Sequence, residues 1–253
     1  MKIIVRFELK KAQLPLDYRR LMVSFLKASF TSSEPQLFEQ FYEKGKTVQK
    51  PFAFDVKLPK ASFEKERILL DSEEIQLTII LEEKVLGIRI YNAIVAMKKE
   101  KVEYPVANGN SMKVKSVRIE EHRKIVENQV MIQMLSPLVL REHKKGEKDY
   151  YYQADDEEFI NIAKEIIQAQ VSNLKITSKW IDIVLEPIKA KKVIIKTFGI
   201  NIPASLGIFK LSANEEIINI LYQIGIGSRR SEGFGVFEII EQKKGNFYGN
   251  SAV

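Results

Sequence analysis

Apolar Ile3, Val5, Phe7 and Leu9 alternate with Ile4, Arg6, Glu8 and Lys10 at the start of the chain, the two-residue period of a half-buried strand. The spacing then turns helical from about Leu16 to Phe30, with Pro15 near the start, where a missing amide costs little. Thr31-Ser32-Ser33 interrupts it, and Glu34 and Pro35 open a second short helix predicted to end at Gly45. Two extended runs follow, Pro51 to Leu58 and Ile68 to Glu82, and Leu77, Ile79 and Leu81 keep the strand period in the second. Val85 to Lys98 is predicted as a helix, and an Asn108-Gly109-Asn110 turn leads into a strand over Lys113 to Ile119.

The same order recurs in the second half. Gln129 to Leu140 reads as extended, and Asp155 to Asn173 as a helix with Phe159, Ile162, Ile166 and Val171 along one face. Trp180 to Glu186 and Lys192 to Thr197 are predicted strands, with a third extended piece around Gly207 to Leu211. Asn214 caps a helix running to about Ile224, and Phe234 to Ile240 closes the pattern as a strand. Two successive βαββαβ units imply an α+β protein of two tandem ferredoxin-like (RRM-like) domains. The expected limits are residues 1–124 and 125–241, followed by a polar, glycine-containing tail at 242–253. One α+β domain of less regular topology is the alternative. No aromatic pair of the RNP type stands on the predicted strands.

Composition narrows the function. With 45% hydrophobic residues in 253, a disordered chain is excluded. No apolar run reaches the roughly 18 to 20 residues of a membrane span, and the opening MKIIVRFELK reads as a strand, not a signal peptide. The absence of cysteine excludes disulfides and thiol catalysis and fits the cytoplasm. His122 and His143 are far apart and lack other ligands nearby, so no metal site and no cofactor is expected. Lysine and arginine outnumber acidic residues 40 to 33, which is compatible with a polyanionic partner.

The most informative segment runs Ile224-Gly225-Ile226-Gly227-Ser228-Arg229-Arg230-Ser231-Glu232-Gly233-Phe234-Gly235-Val236. It is a poor match to a nucleotide-binding loop, in which a strand precedes the glycines and a helix follows. Here a helix ends into the loop and points its negative dipole end there, so a bound phosphate must be held by loop amides and by Arg229 and Arg230. The structural reading is that the glycines let the chain turn against the other domain.

This segment resembles the C-terminal signature of the RAMP superfamily, and its surroundings resemble the Cas6 family of CRISPR-associated proteins. Asn214 through Gly227 is similar to that family's last helix and loop entry, and Gly199 through Leu211 to the preceding hairpin. Leu135 through Leu140 resembles the start of its second domain, and Tyr42 through Gly45 with Pro51 through Phe54 resembles the N-terminal helix end and next strand. The resemblance implies binding of CRISPR repeat RNA and its metal-independent cleavage, in which a 2′-hydroxyl attacks the neighbouring phosphate and leaves a cyclic phosphate. It also implies a non-cleaving repeat-binding relative, or a structural RAMP subunit similar to Cas5 or Cas7, as alternatives. Other Cas proteins of an interference complex, and a second copy of the chain, are the further partners it implies.

In many members of the family a histidine stands where this chain has Tyr42. Tyrosine at its ordinary pKa near 10 is a poor base, although a nearby lysine lowers it. The expectation is that Tyr42 positions or protonates, that Lys46 or Lys50 stabilises the phosphate, and that Tyr18 is a further candidate. RNA contacts are expected from Gly225, Gly227, Ser228, Arg229, Arg230, Gly233 and Gly235. They are also expected from Lys189, Lys191, Lys192 and Lys196 of the hairpin, and from Arg19, Arg20 and Lys27 of the first helix. Solvated lysines with no partner are the alternative for the last two groups. The three tyrosines at 150–152 can stack on bases or simply begin a strand.

Overall fold

The computed structural model describes residues 1–43, 49–143, 146, 148–172 and 183–243. The tail beyond 243, the predicted helix end at Gly45, Lys46, and the strand start at Trp180 lie outside the described residues. The first half forms β1 (Lys2–Leu9), β2 (Gln13–Pro15), α1 (Tyr18–Ser33), α2 (Pro35–Tyr42), β3 (Phe52–Lys57), β4 (Ala61–Phe63), β5 (Arg67–Leu70), β6 (Glu74–Leu81), α3 (Lys84–Lys99), β7 (Tyr104–Val106) and β8 (Asn110–Glu120). Its main sheet is antiparallel in the order β3-β6-β1-β8-β7, the ferredoxin-like arrangement with one short added strand. Alternation in β1 buries Ile3, Val5, Phe7 and Leu9 in one core with Met22, Phe25 and Leu26 of α1 and Ile90, Ala93 and Ile94 of α3.

Local boundaries differ from expectation: α1 continues through Thr31 and Ser32 to Ser33, where an interruption was expected. Leu16 precedes the first helix, because Asp17 caps it and accepts from the Arg20 amide at 3.3 Å. The run from Ile68 to Glu82 is two strands, broken where the Ser72 hydroxyl takes the Glu74 amide at 3.1 Å.

The second half forms β9 (Gln129–Met134), β10 (Leu140–Glu142), β11 (Tyr150–Tyr152), α4 (Phe159–Val171), β12 (Val184–Thr197), β13 (Ile200–Ser212), α5 (Glu215–Ile224), a 3-10 turn (Arg230–Glu232) and β14 (Phe237–Lys243). The order β12-β13-β9-β14 repeats the arrangement of the first sheet. The three extended pieces expected between 180 and 211 are in fact two long strands. They meet at a two-residue turn, Phe198-Gly199, with φ of 50° and 79°. A register shift between Pro187 and Lys189 absorbs the proline on this edge strand, and there the apolar alternation that a strand reading needs is missing. The closing strand starts at Phe237, not Phe234, and α4 starts at Phe159, not Asp155.

The halves meet at several points. Ala53 and Ile80, on the outer face of the first sheet, pack with Val236. The Lys2 ammonium reaches the Tyr222 hydroxyl at 3.3 Å, and that hydroxyl donates to Glu238 at 2.6 Å. Asp17 accepts from the Phe198 amide at 2.9 Å and from the Thr197 hydroxyl, so the tip of the β12–β13 hairpin is anchored on the start of α1.

Candidate active-site cleft

Asn214 caps α5 through the Ile217 amide at 2.8 Å, and the helix ends at Gly225, where the glycine-rich segment begins. The segment folds back on itself. The Ile226 amide donates to the Gly235 carbonyl (2.8 Å), Gly227 to Gln170 (3.0 Å), Ser228 to the Val139 carbonyl (2.8 Å) and Gly235 to the Pro137 carbonyl (2.9 Å). These amides are used within the protein, so they do not form the phosphate cradle that a ligand-binding reading requires. Gly235 has φ of 74°, and a Cβ there would lie 2.0 Å from the Ile226 carbonyl oxygen, which leaves room for hydrogen alone.

Two of the candidate arginines are internal. Arg19 is buried; its Nε donates to the Gly233 carbonyl at 3.1 Å, and its guanidinium lies over the Phe234 ring at 5.2 Å and the Tyr18 ring at 4.7 Å. Arg230 is buried too, donates to the Ile224 carbonyl at 2.7 Å, and is pulled down to about 10 by burial. Both were expected as RNA contacts and both are engaged by backbone carbonyls that hold the loop in place, although Arg230 also lines the cleft beside it. Beside this joint, burial pushes the Asp55 carboxyl up to about 6 against the pull of Arg19.

A cleft of about 710 Å³ opens next to the loop. Phe41, Gln49 and Lys50 line it from the first half, and Arg141, Gln170 and residues 227–232 from the second. Three of its cationic residues come from separate segments. Arg229 (φ 56°) pairs with Glu232 at 2.8 Å and also donates to the Tyr151 hydroxyl at 3.3 Å. Arg141 pairs with Asp149 at 3.1 Å, and His143 Nδ1 meets the other oxygen of that carboxylate at 2.7 Å. Lys50 has its pKa lowered by burial, opposed by Glu232 and helped by the charge of Lys27. Such a recess can hold a phosphodiester by charge and by arginine hydrogen bonds. Among the described residues no group of three side chains is placed to bind a metal ion.

Tyr42 stands at the edge of this recess. The ammonium groups of Lys27 and Lys50 each lie 4.6 Å from its ring centroid. Its hydroxyl is buried without a hydrogen-bond partner among the described residues. Burial, reinforced by Glu232, pushes the phenol well above its ordinary value, so the expected lowering by a neighbouring lysine is reversed.

The remaining candidates separate into core and surface. Tyr18 is buried in the first core, its pKa raised by burial, and it does not line the cleft. Arg20 is exposed at the start of α1. Lys189, Lys191 and Lys196 are exposed on β12, whereas Lys192 pairs with Asp155 at 2.7 Å. The cleft thus brings together Lys50, Gly227, Ser228, Arg229 and Arg230 from the sequence-based candidates and adds Arg141 and Gln170. Arg141 follows the buried Leu140 in an ordinary strand pattern, and Gln170 sits among alternating helix residues, so no local motif marks either one.

Residues 119–239 match the family model described as CRISPR associated protein Cas6, C-terminal. No curated relative matches the sequence. Among solved structures the fold is similar to a RAMP protein binding different RNA substrates, at 20% identity over 95% of this chain and 100% of that one, with a TM-score of 0.81. It is equally similar to the product of a Cas6-related gene from Pyrococcus furiosus, at 20% identity, 96% and 99% coverage and a TM-score of 0.81. A CRISPR associated protein Cas6 follows at 17% identity, 95% and 99% coverage and a TM-score of 0.76.

Proposed function

We propose that this chain is a Cas6-family protein, a reading supported by the match of residues 119–239 to the Cas6 C-terminal model, and that it binds CRISPR repeat RNA and cleaves it in the cleft beside the glycine-rich loop. The observation that carries this reading is the convergence of Lys50, Arg141 and Arg229 on one recess. Glu232 and Asp149 hold the two arginines in place, and an incoming phosphate replaces or shares those carboxylate partners.

In the proposed reaction, a metal-independent transesterification, the 2′-hydroxyl attacks the adjacent phosphorus. The 5′-oxygen leaves and a cyclic phosphate remains. Lys50 and Arg229 neutralise the charge that builds on the phosphate, with Lys46 a further cation from the neighbouring sequence. Holding the nucleotide for in-line attack supplies much of the remaining rate. Tyr42, with its phenol held protonated, positions and does not act as a base.

Repeat binding without cutting is the second reading. It is favoured by the buried Tyr42 hydroxyl and by a cleft that no histidine lines among the described residues. Incubating the cognate repeat RNA with wild type and Lys50→Ala decides between them. The first reading expects a cyclic-phosphate product from wild type and a loss of about 100-fold in Lys50→Ala. Specific binding with no product from wild type establishes the second.

A further inference from the structure

We infer that Tyr42 acts through its ring and not its hydroxyl: it is a positioning residue, a shared platform that holds the ammonium groups of Lys27 and Lys50 beside the cleft. The inference rests on the proposed phosphate site and names how that site keeps its charge in place. Lys27 lies on α1 and Lys50 on the segment before β3, so the two come from separate parts of the chain. Each places its nitrogen 4.6 Å from the same ring centroid, within the range of a cation–π contact.

The ring itself is fixed from its other neighbours. Phe38 lies 5.8 Å away between centroids, Phe30 6.4 Å, and Phe41 6.5 Å and nearly perpendicular at 89°. The hydroxyl is buried with no partner among the described residues, so it has no evident route to a substrate oxygen.

Electrostatics explains why a ring is suited to this position. Two like charges beside one another repel, and the charge of Lys27 does lower the pKa of Lys50. A carboxylate between them would relieve the repulsion by neutralising the site, and the pull on a phosphate would be lost with it. An aromatic quadrupole attracts both ammonium groups and leaves their net charge available to an anion. Glu232, the one acidic group raising Lys50, is already engaged by Arg229 at 2.8 Å.

The test uses the full-length protein and two independent readouts. In lysine-resolved NMR of wild type, the side-chain CH2 protons next to Nζ of Lys27 and Lys50 are expected to be shifted upfield by the ring current of Tyr42. In Tyr42→Leu, with folding checked by thermal melting, that shift disappears and repeat-RNA affinity and cleavage fall about tenfold. Restoring a ring as Tyr42→Phe or Tyr42→Trp recovers both the shift and the RNA activity. Unshifted lysine protons in wild type overturn the inference without any variant. A Tyr42→Phe protein as impaired as Tyr42→Leu also overturns it, because the hydroxyl would then carry the role. If wild type binds RNA but does not cut, the cleavage reading fails alone, and the shift and the affinity still decide the platform.

Discussion

The glycine-rich loop and the β12–β13 hairpin both lie in the second half of the chain, and both are expected from the sequence to contact RNA, yet they are built in opposite ways. The loop is largely buried: several of its amides are used internally, Arg230 caps a carbonyl of α5, and Gly233 is tied to Arg19 of the first half. The hairpin carries Lys189, Lys191 and Lys196 in solvent on its edge strand, while β13 pairs with β9 and Asp17 holds the tip. A conspicuous motif can therefore be the joint that shapes a site, while plain surface lysines are the groups free to meet a polyanion. The loop combines both features over residues 227–232, which line the cleft, with Ser228, Arg229, Ser231 and Glu232 half-buried there.

Glycine substitutions separate the two regions most strongly. In Gly235→Ala the new methyl group would lie 2.0 Å from the Ile226 carbonyl oxygen at a φ of 74°, so the loop must rebuild. A loss of about 3 kcal/mol is expected, read by urea denaturation. Gly199→Ala at the hairpin tip has a similar φ of 79° and nothing within 4 Å, so only the backbone preference is lost, about 1 kcal/mol. Equal losses at the two positions would break the distinction between joint and surface.

Arg19 tests the same contrast from the partner side. Arg19→Met keeps most of the stem volume and removes the bond to Gly233 and the contact with Phe234, an expected cost of about 2 kcal/mol. The Asp55 carboxyl loses the cation that holds it down, and its pKa moves above about 6. The salt dependence of RNA binding should keep its wild-type slope, because a buried guanidinium releases no counterions on binding. A shallower slope would return Arg19 to the list of RNA contacts.

Most of the fold was legible because alternation and helical spacing are local signals, as in β1 and in the Asn214-capped α5. The β12–β13 pair was misread because the exposed run around Ile188 to Lys192 has no buried face to impose a period. The site was less legible. Motif reasoning pointed to Lys50, Gly227, Ser228, Arg229 and Arg230, but Arg141 enters the cleft only through the packing of β10 beside the loop, and no spacing records that. Arg19 of the first helix and Arg230 of the loop were expected as RNA contacts from their charge, and no local spacing records that both are buried against backbone carbonyls. Tyr42 combines both lessons, since Lys50 beside it was foreseen while Lys27 over the same ring and the burial that raises its phenol were not.

The hairpin gives the smallest expected change in stability and the most specific change in binding. Lys189, Lys191 and Lys196 are exposed and form no ion pair among the described residues, so replacing all three with glutamine should alter stability by no more than about 0.5 kcal/mol per site. If each meets a phosphate, the slope of log affinity against log salt becomes shallower by roughly 2, at about 0.7 per contact for a single strand. Lys192→Gln is the internal comparison, because Asp155 already holds that ammonium at 2.7 Å and RNA must displace a carboxylate to use it. Its effect on the slope should therefore be smaller than that of any of the other three. A triple variant with the wild-type slope would mark the hairpin as a solvated edge, and the arginines of the cleft would then carry the phosphate contacts alone.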